Sequence, residues 1–153
     1  MAALPEGFTA DPDRLLALAV EALDAAAPRF VEGVGAPAAV VKGPADFATD
    51  LDLELERRIT AAVAEATGVP VHGEEYGGPA VDQGTVWVLD PIDGTVNYLY
   101  GLPAWGVSVA CVVGHPQVPG AWAPVAGAVF TSSPRPDVRH TFSPVSSSRP
   151  AHP

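Results

Sequence analysis

The apolar positions of this chain change period once, near Gly68, and that change divides it into a helical part and a strand-rich part. Leu15, Leu18, Ala19, Ala22 and Leu23 recur at helical spacing behind Asp11 and Pro12, a side-chain cap followed by the residue most at home in a first turn. They predict a first helix, closed by Pro28. From Gly33 to Pro44 the chain is rich in Gly, Ala, Pro and Val, with Lys42 near its end, which predicts a loop or an irregular hairpin. A second helix is expected from Thr49, because Leu51, Leu55, Ile59, Ala62, Val63 and Ala66 form an apolar stripe that stops before Gly68. Short apolar runs then replace the helical period. Val69–His72, Val86–Leu89, Gly106–Val113 and Ala121–Phe130 read as strands, and Val138–Phe142 is expected to pair back across the turn at Ser132–Asp137. Helices ahead of a group of strands predict a layered α/β (α+β) domain.

Composition narrows this picture. With 153 residues, 48% apolar and 17% charged, the chain has the length and the side chains for one packed domain. A net charge of −10 argues against nucleic acid or an anionic membrane as partner, since each needs a basic face. Cys111 is the only cysteine and lies in an apolar run, so it reads as a buried thiol outside any disulfide. Neither a basic start with an apolar core nor a membrane-length run is present, and a cytoplasmic location is the expectation. From Ser143 to Pro153 periodicity ends and Ser, Pro, Arg and Ala take over. Residues 1–142 are therefore expected to form the domain, and 143–153 a disordered or out-of-frame tail.

Candidate chemistry gathers at the ends of the predicted elements. Asp90 directly follows the apolar run Val86–Leu89, and Pro91 biases it toward extended backbone. Asp93 follows three residues later, ahead of Gly94 and Thr95. Two carboxylates held that close repel unless a proton or a metal lies between them. The plain alternative is an Asp-Pro turn running into an Asp-Gly turn, which loops use constantly. Asp50 and Asp52 at the second helix start and Glu74 and Glu75 after the first strand are the other acidic clusters. Asp52 also has a simple reading as a charge placed on the helix dipole. An oxygen-only donor set suits Mg²⁺ better than Zn²⁺. His72 reads as a packed or surface histidine and not as a ligand. Thr95 places a hydroxyl at the expected start of a short helix, where it can orient a water and free backbone N–H groups can hold a phosphate oxygen.

Three segments together resemble one family. Trp87 to Tyr98 is similar to the W-x-x-D-P-I-D-G-T-x-N-[FY] signature of the inositol monophosphatases, which are Mg²⁺-dependent, lithium-sensitive phosphatases. Gly73-Glu74-Glu75 resembles the family's upstream G-E-E, and Asp46 to Glu56 its D-[LF]-x-T-x-x-D-x-x-x-E segment. Order and separation also agree, and the resemblance runs from the first helix to Phe142. It implies the inositol-monophosphatase/sugar-phosphatase-like fold, with two helices packed on a mixed, largely antiparallel sheet. It further implies that Glu74, Asp90 and the carbonyl of Ile92 hold one Mg²⁺ and that Asp90 and Asp93 hold a second. Thr95 and Asp52 would orient and deprotonate the attacking water, with Glu74 in the catalytic set. Asp93, Gly94 and Thr95 would bind the phosphorylated substrate, the last two through backbone N–H groups. Lys42 aligns with a metal-loop lysine, Glu75 with a supporting position, and Asn97 and Tyr98 with residues that brace the turn. Trp87 and Trp105 read as packing residues. Full-length relatives are expected to be homodimers.

One departure accompanies the match. Family members continue into a second half with a W-D-x-A-A-[AG] motif, whose aspartate completes the second metal site, and no such motif occurs here. The expectation is a chain that keeps most of the first site and half of the second, with impaired turnover. Superfamily relatives act on histidinol phosphate, fructose 1,6-bisphosphate or nucleotide 3′-phosphates, and a metal-binding chain without turnover is the non-enzyme alternative. A haloacid-dehalogenase-like reading of D-x-D-G-T fits less well, because two residues separate Asp90 from Asp93 where that mechanism needs one.

Overall fold

The structure is a computed structural model that describes residues 11–35, 40–43, 46–82, 84–115, 117–131 and 139–142, with backbone alone for 40–43, 46–48 and 139–142. The expected tail after Phe142, the turn at 132–137 and the side chain of Lys42 lie outside the described residues. In chain order the elements are α1 (Pro12–Glu32), β1 (Val40–Gly43), β2 (Asp46–Ala48), α2 (Asp50–Thr67), β3 (Val71–Gly73), β4 (Thr85–Asp93), α3 (Thr95–Leu99), β5 (Gly106–Gly114), β6 (Trp122–Thr131) and β7 (Arg139–Phe142).

The layered α+β architecture is the expected one. β3 to β7 form a sheet in sequence order, with β3 parallel to β4 and every later neighbour antiparallel. Both long helices cover one face of it, α1 over β6 and α2 over β4. Leu15, Ala19, Leu23 and Phe30 of α1 and Leu55, Ile59 and Val63 of α2 meet Trp87, Leu89, Val107, Val109 and Ala128 from alternate positions of the strands. Cys111 lies in this core, where burial pushes its thiol up to about 12. β1 and β2 pair as a separate hairpin, which starts inside the Gly33–Pro44 segment expected to be a loop or an irregular hairpin and runs past it to Ala48.

Three local expectations change. Pro28 does not close α1, which continues to Glu32. A proline inside a helix costs about 3 kcal/mol, and the turn beyond it offsets that through Phe30. This side chain is fully buried, stacks on Phe130 at 6.2 Å, and its carbonyl accepts the Tyr98 hydroxyl at 2.5 Å. The stripe of α2 is rotated from the predicted one: Ala62 and Ala66 are exposed, while Asp52 and Glu56 are buried with Leu51, Leu55, Ile59 and Val63. Apolar content alone places alanines inward, but the polar partners described below draw the two acids in. Finally, β4 does not end at Leu89. It runs through Pro91 to Asp93, with a bulge between Asp90 and Asp93 that accommodates a residue lacking a ladder donor.

Candidate active site

Strand register brings Glu74 to Asp90. β3 and β4 run parallel with Val71 opposite Trp87, His72 opposite Val88 and Gly73 opposite Leu89, so the next step faces Glu74 toward Asp90. The Glu74 N–H donates to the Leu89 carbonyl at 3.1 Å and carries the pairing to this point. Trp87 anchors the strand from below, fully buried and donating its indole N–H to Thr67 at the end of α2 at 3.1 Å. His72 stands aside from the acids, half-buried and bonded to the Pro79 carbonyl at 2.9 Å.

Asp90 is the electrostatic focus. Burial, then a hydrogen bond with the Glu74 carboxylate and its charge, then the charge of Asp93, push its carboxyl up to about 8. Its Oδ1 is buried and has no hydrogen-bond partner. A buried carboxylate oxygen without a donor, beside two further carboxylates, is where a cation stabilises what a proton otherwise must, and the all-oxygen donors fit a hard divalent ion. Among the described residues, no three His, Cys, Asp or Glu side chains converge as a finished metal cage. The acids therefore stand as a Glu74–Asp90 pair, Asp90 half-buried and Glu74 exposed, with the exposed Asp93 beyond the bulge.

The turn after β4 supplies the remaining groups. Gly94 caps α3 with φ 80°, a backbone angle that side chains resist, and a Cβ there would lie 2.7 Å from the Ala104 carbonyl. Thr95 donates its hydroxyl to the Ile92 carbonyl at 2.8 Å, so its oxygen is left to accept. Asn97 donates to the Ala104 carbonyl at 2.9 Å, and Tyr98 packs edge-on against Trp105 at 4.9 Å. Ala104 itself holds a positive φ of 69°, an uncommon angle for alanine and a local strain beside the turn. A cavity of about 350 Å³ opens here, lined by Asp93, Gly94, Trp105, Ser108 and Thr131 among others.

Asp52 is a structural cap as well as a candidate base. Its Oδ2 accepts from the Thr49 N–H at 2.6 Å and the Thr49 hydroxyl at 2.5 Å, while its own N–H donates to Thr49 Oγ1 at 3.1 Å, a reciprocal capping box. The hydrogen bonds described for Asp52 all run to Thr49, and none reaches Thr95. Burial raises its pKa, the Thr49 bonds oppose that, and the Glu75 charge adds to it.

Glu56 takes no part in the ligand and catalytic sets expected from the sequence. It is 1% exposed, and its carboxylate accepts the backbone N–H groups of Glu75 at 2.7 Å and Tyr76 at 2.8 Å. The available signal was its position on α2, four residues after Asp52 and on the face of Leu55 and Ile59, where an unpartnered acid would be costly.

Known proteins resemble this chain in sequence and in fold. The chain is 46% identical over 126 residues to the inositol-1-monophosphatase ImpA of Mycolicibacterium smegmatis, covering 80% of this chain and 46% of that protein. It is 49% identical over 113 residues to the probable inositol 1-monophosphatase ImpA of Mycobacterium tuberculosis, covering 72% and 41%. Its fold superposes on the crystal structure of the extragenic suppressor protein SuhB of Bartonella henselae with a TM-score of 0.69 at 26% identity, covering 85% of this chain and 48% of that one. The chain thus spans less than half the length of these relatives. The profile of the inositol monophosphatase family matches residues 11–136, and the chain belongs to that family.

Proposed function

We propose that the protein is a Mg²⁺-dependent phosphomonoesterase that hydrolyses inositol monophosphate or a similarly small phosphate ester. The observation that carries this reading is the Glu74–Asp90 pair, with its unpartnered buried oxygen and Asp93 adding to its negative charge. The names of the relatives support the substrate class. Glu74, Asp90 and the Ile92 carbonyl, which retains a second lone pair beside its bond from Thr95, would hold one cation, and Asp90 and Asp93 a second. When bound, Mg²⁺ supplies positive charge against the phosphate and lowers the pKa of water. This reconciles a chain of net charge −10 with an anionic substrate.

Thr95 Oγ1, its proton committed to Ile92, accepts a hydrogen bond from the attacking water and points that water's lone pair away from itself. Asp52, which burial makes more basic, is the proton acceptor, and Glu74 completes the catalytic set. The N–H groups of Gly94 and Thr95 hold a phosphate oxygen, with Asp93 contacting the alcohol portion. The wider reading is a cytoplasmic protein with full-length relatives that are homodimers, an N-terminal domain over residues 1–142, and no nucleic-acid or membrane partner. No helix among the described residues is long and apolar enough to cross a membrane.

Phosphate release from inositol 1-phosphate in the presence of Mg²⁺, compared between this chain and Asp93→Asn, tests the site. The aspartate chain is expected to release phosphate faster, and equal rates would sink the assignment. A second reading, a cation-binding chain without turnover, is favoured by the Asp52 carboxylate, whose described hydrogen bonds run to Thr49 and not to Thr95. It predicts Mg²⁺ binding that depends on Asp90 with no phosphate released.

A further inference from the structure

The turn from Gly73 to Gly77 has a complete hydrogen-bond account, and Glu56 holds two of its five backbone donors. Gly73 and Gly77 bond each other reciprocally at 3.0 Å, and Glu74 bonds the Leu89 carbonyl. Glu75 and Tyr76 donate to Oε2 and Oε1 of Glu56, a side chain that reaches them from the buried face of α2. Successive N–H groups aimed at one anion form a nest, here filled by the protein's own carboxylate. Gly73 is shaped by the same contact. A Cβ at this position would lie 1.8 Å from Glu56 Oε1 and 2.3 Å from its Cδ, so the glycine is required by the close approach of Glu56.

We infer that Glu56 is a positioning residue for cation binding: by clamping the Glu75 and Tyr76 amides it sets where the Glu74 carboxylate stands against Asp90. The inference rests on the reading that Glu74 and Asp90 hold a divalent ion. Glu74 is tied down on one side by its bond to Leu89 and on the other through the turn that Glu56 and the Gly73–Gly77 pair hold together. With the clamp loosened, Glu74 samples other positions and one carboxylate of the pair is no longer aligned. Supporting groups of this kind are worth about 10- to 100-fold in metal affinity.

The test is Glu56→Gln, which keeps size and shape but offers one acceptor oxygen where two are used and turns an NH₂ toward the other amide. Mn²⁺, a paramagnetic stand-in for Mg²⁺, is titrated into the full chain and free ion is counted by electron paramagnetic resonance, alongside hydrogen exchange at the Glu75 and Tyr76 amides. Expected is a folded variant that binds Mn²⁺ about 10- to 100-fold more weakly and exchanges those two amides faster. Ile59→Val, a mildly destabilising change at a buried neighbour on the same helix, should leave Mn²⁺ affinity unchanged. If Glu56→Gln does not fold, Gly73→Ala decides, since it displaces the Glu56 carboxylate while leaving its charge. Wild-type affinity in the folded variant overturns the inference. A wild-type chain that binds no Mn²⁺ overturns the cation reading beneath it, and so the two failures are distinguished.

Discussion

Replacing Asp90 by Asn should stabilise the cation-free protein at neutral pH and abolish its response to Mg²⁺. In the folded chain burial and the neighbouring carboxylates raise the Asp90 pKa from 3.8 to about 8. The folded state therefore binds a proton that the unfolded state has released between these values. Stability from this group is fully present below about pH 4 and is lost as pH rises toward 8, at most about 1.4 kcal/mol per pH unit. From pH 4.5 to pH 7.5 the ceiling is about 4 kcal/mol, and partial solvation of a half-buried site with its proton shared with Glu74 reduces this to about 2 kcal/mol. Asn fills the same space without a charge to bury. Urea denaturation in chelator at both pH values, on wild type and Asp90→Asn, isolates the term as the difference between the two pH slopes. At pH 7.5 the variant should be the more stable by about 2 kcal/mol, and at pH 4.5 the two should nearly coincide. Added Mg²⁺ should raise the wild-type midpoint alone, because only the carboxylate gains by exchanging its proton for the ion. Parallel pH slopes together with an equal Mg²⁺ response would refute both the electrostatics and the ligand assignment.

Two further outcomes follow from the supports of the site. Tyr98→Phe removes the donor to the Phe30 carbonyl in a fully buried setting and should cost about 1–3 kcal/mol in urea denaturation with unchanged m. Thr49→Ala removes the hydroxyl half of the capping box, costing about 0.5–2 kcal/mol, and should push the Asp52 pKa further up, since the hydroxyl's bond is the strongest influence holding it down against burial. Carboxyl chemical shifts followed through a pH titration would read the second effect directly, and an unmoved Asp52 would contradict it.

Much of the fold was legible because its elements follow local rules. The cap at Asp11, the cap at Thr49 and the stop at Gly68 appear where short-range chemistry demands them, and the five strands of the main sheet follow the apolar runs. The errors fall where partners distant in sequence outweigh local preference. Pro28 is a local stop signal, overruled by the burial of Phe30 and a hydroxyl 68 residues away. Glu56 is a local surface signal, overruled because the distant turn at Glu75 and Tyr76 satisfies it inside, whereas buried Asp52 is satisfied locally by Thr49.

The sequence by itself determined which acids the chain carries, in what order, and the family they belong to, because spacing along a chain survives without coordinates. It also determined that Gly94 and Thr95 open a turn directly after the second aspartate. Only the tertiary structure decided which acids meet. The parallel register of β3 on β4 joins Glu74 to Asp90, the bulge at Pro91 sets Asp93 apart, and capping turns the Asp52 carboxylate to Thr49. It alone revealed why Gly73 is a glycine, since the carboxylate that occupies its missing side chain comes from a helix seventeen residues earlier. Electrostatic coupling depends on distance through space, and a one-dimensional pattern holds that distance only after folding has closed the loops between its parts.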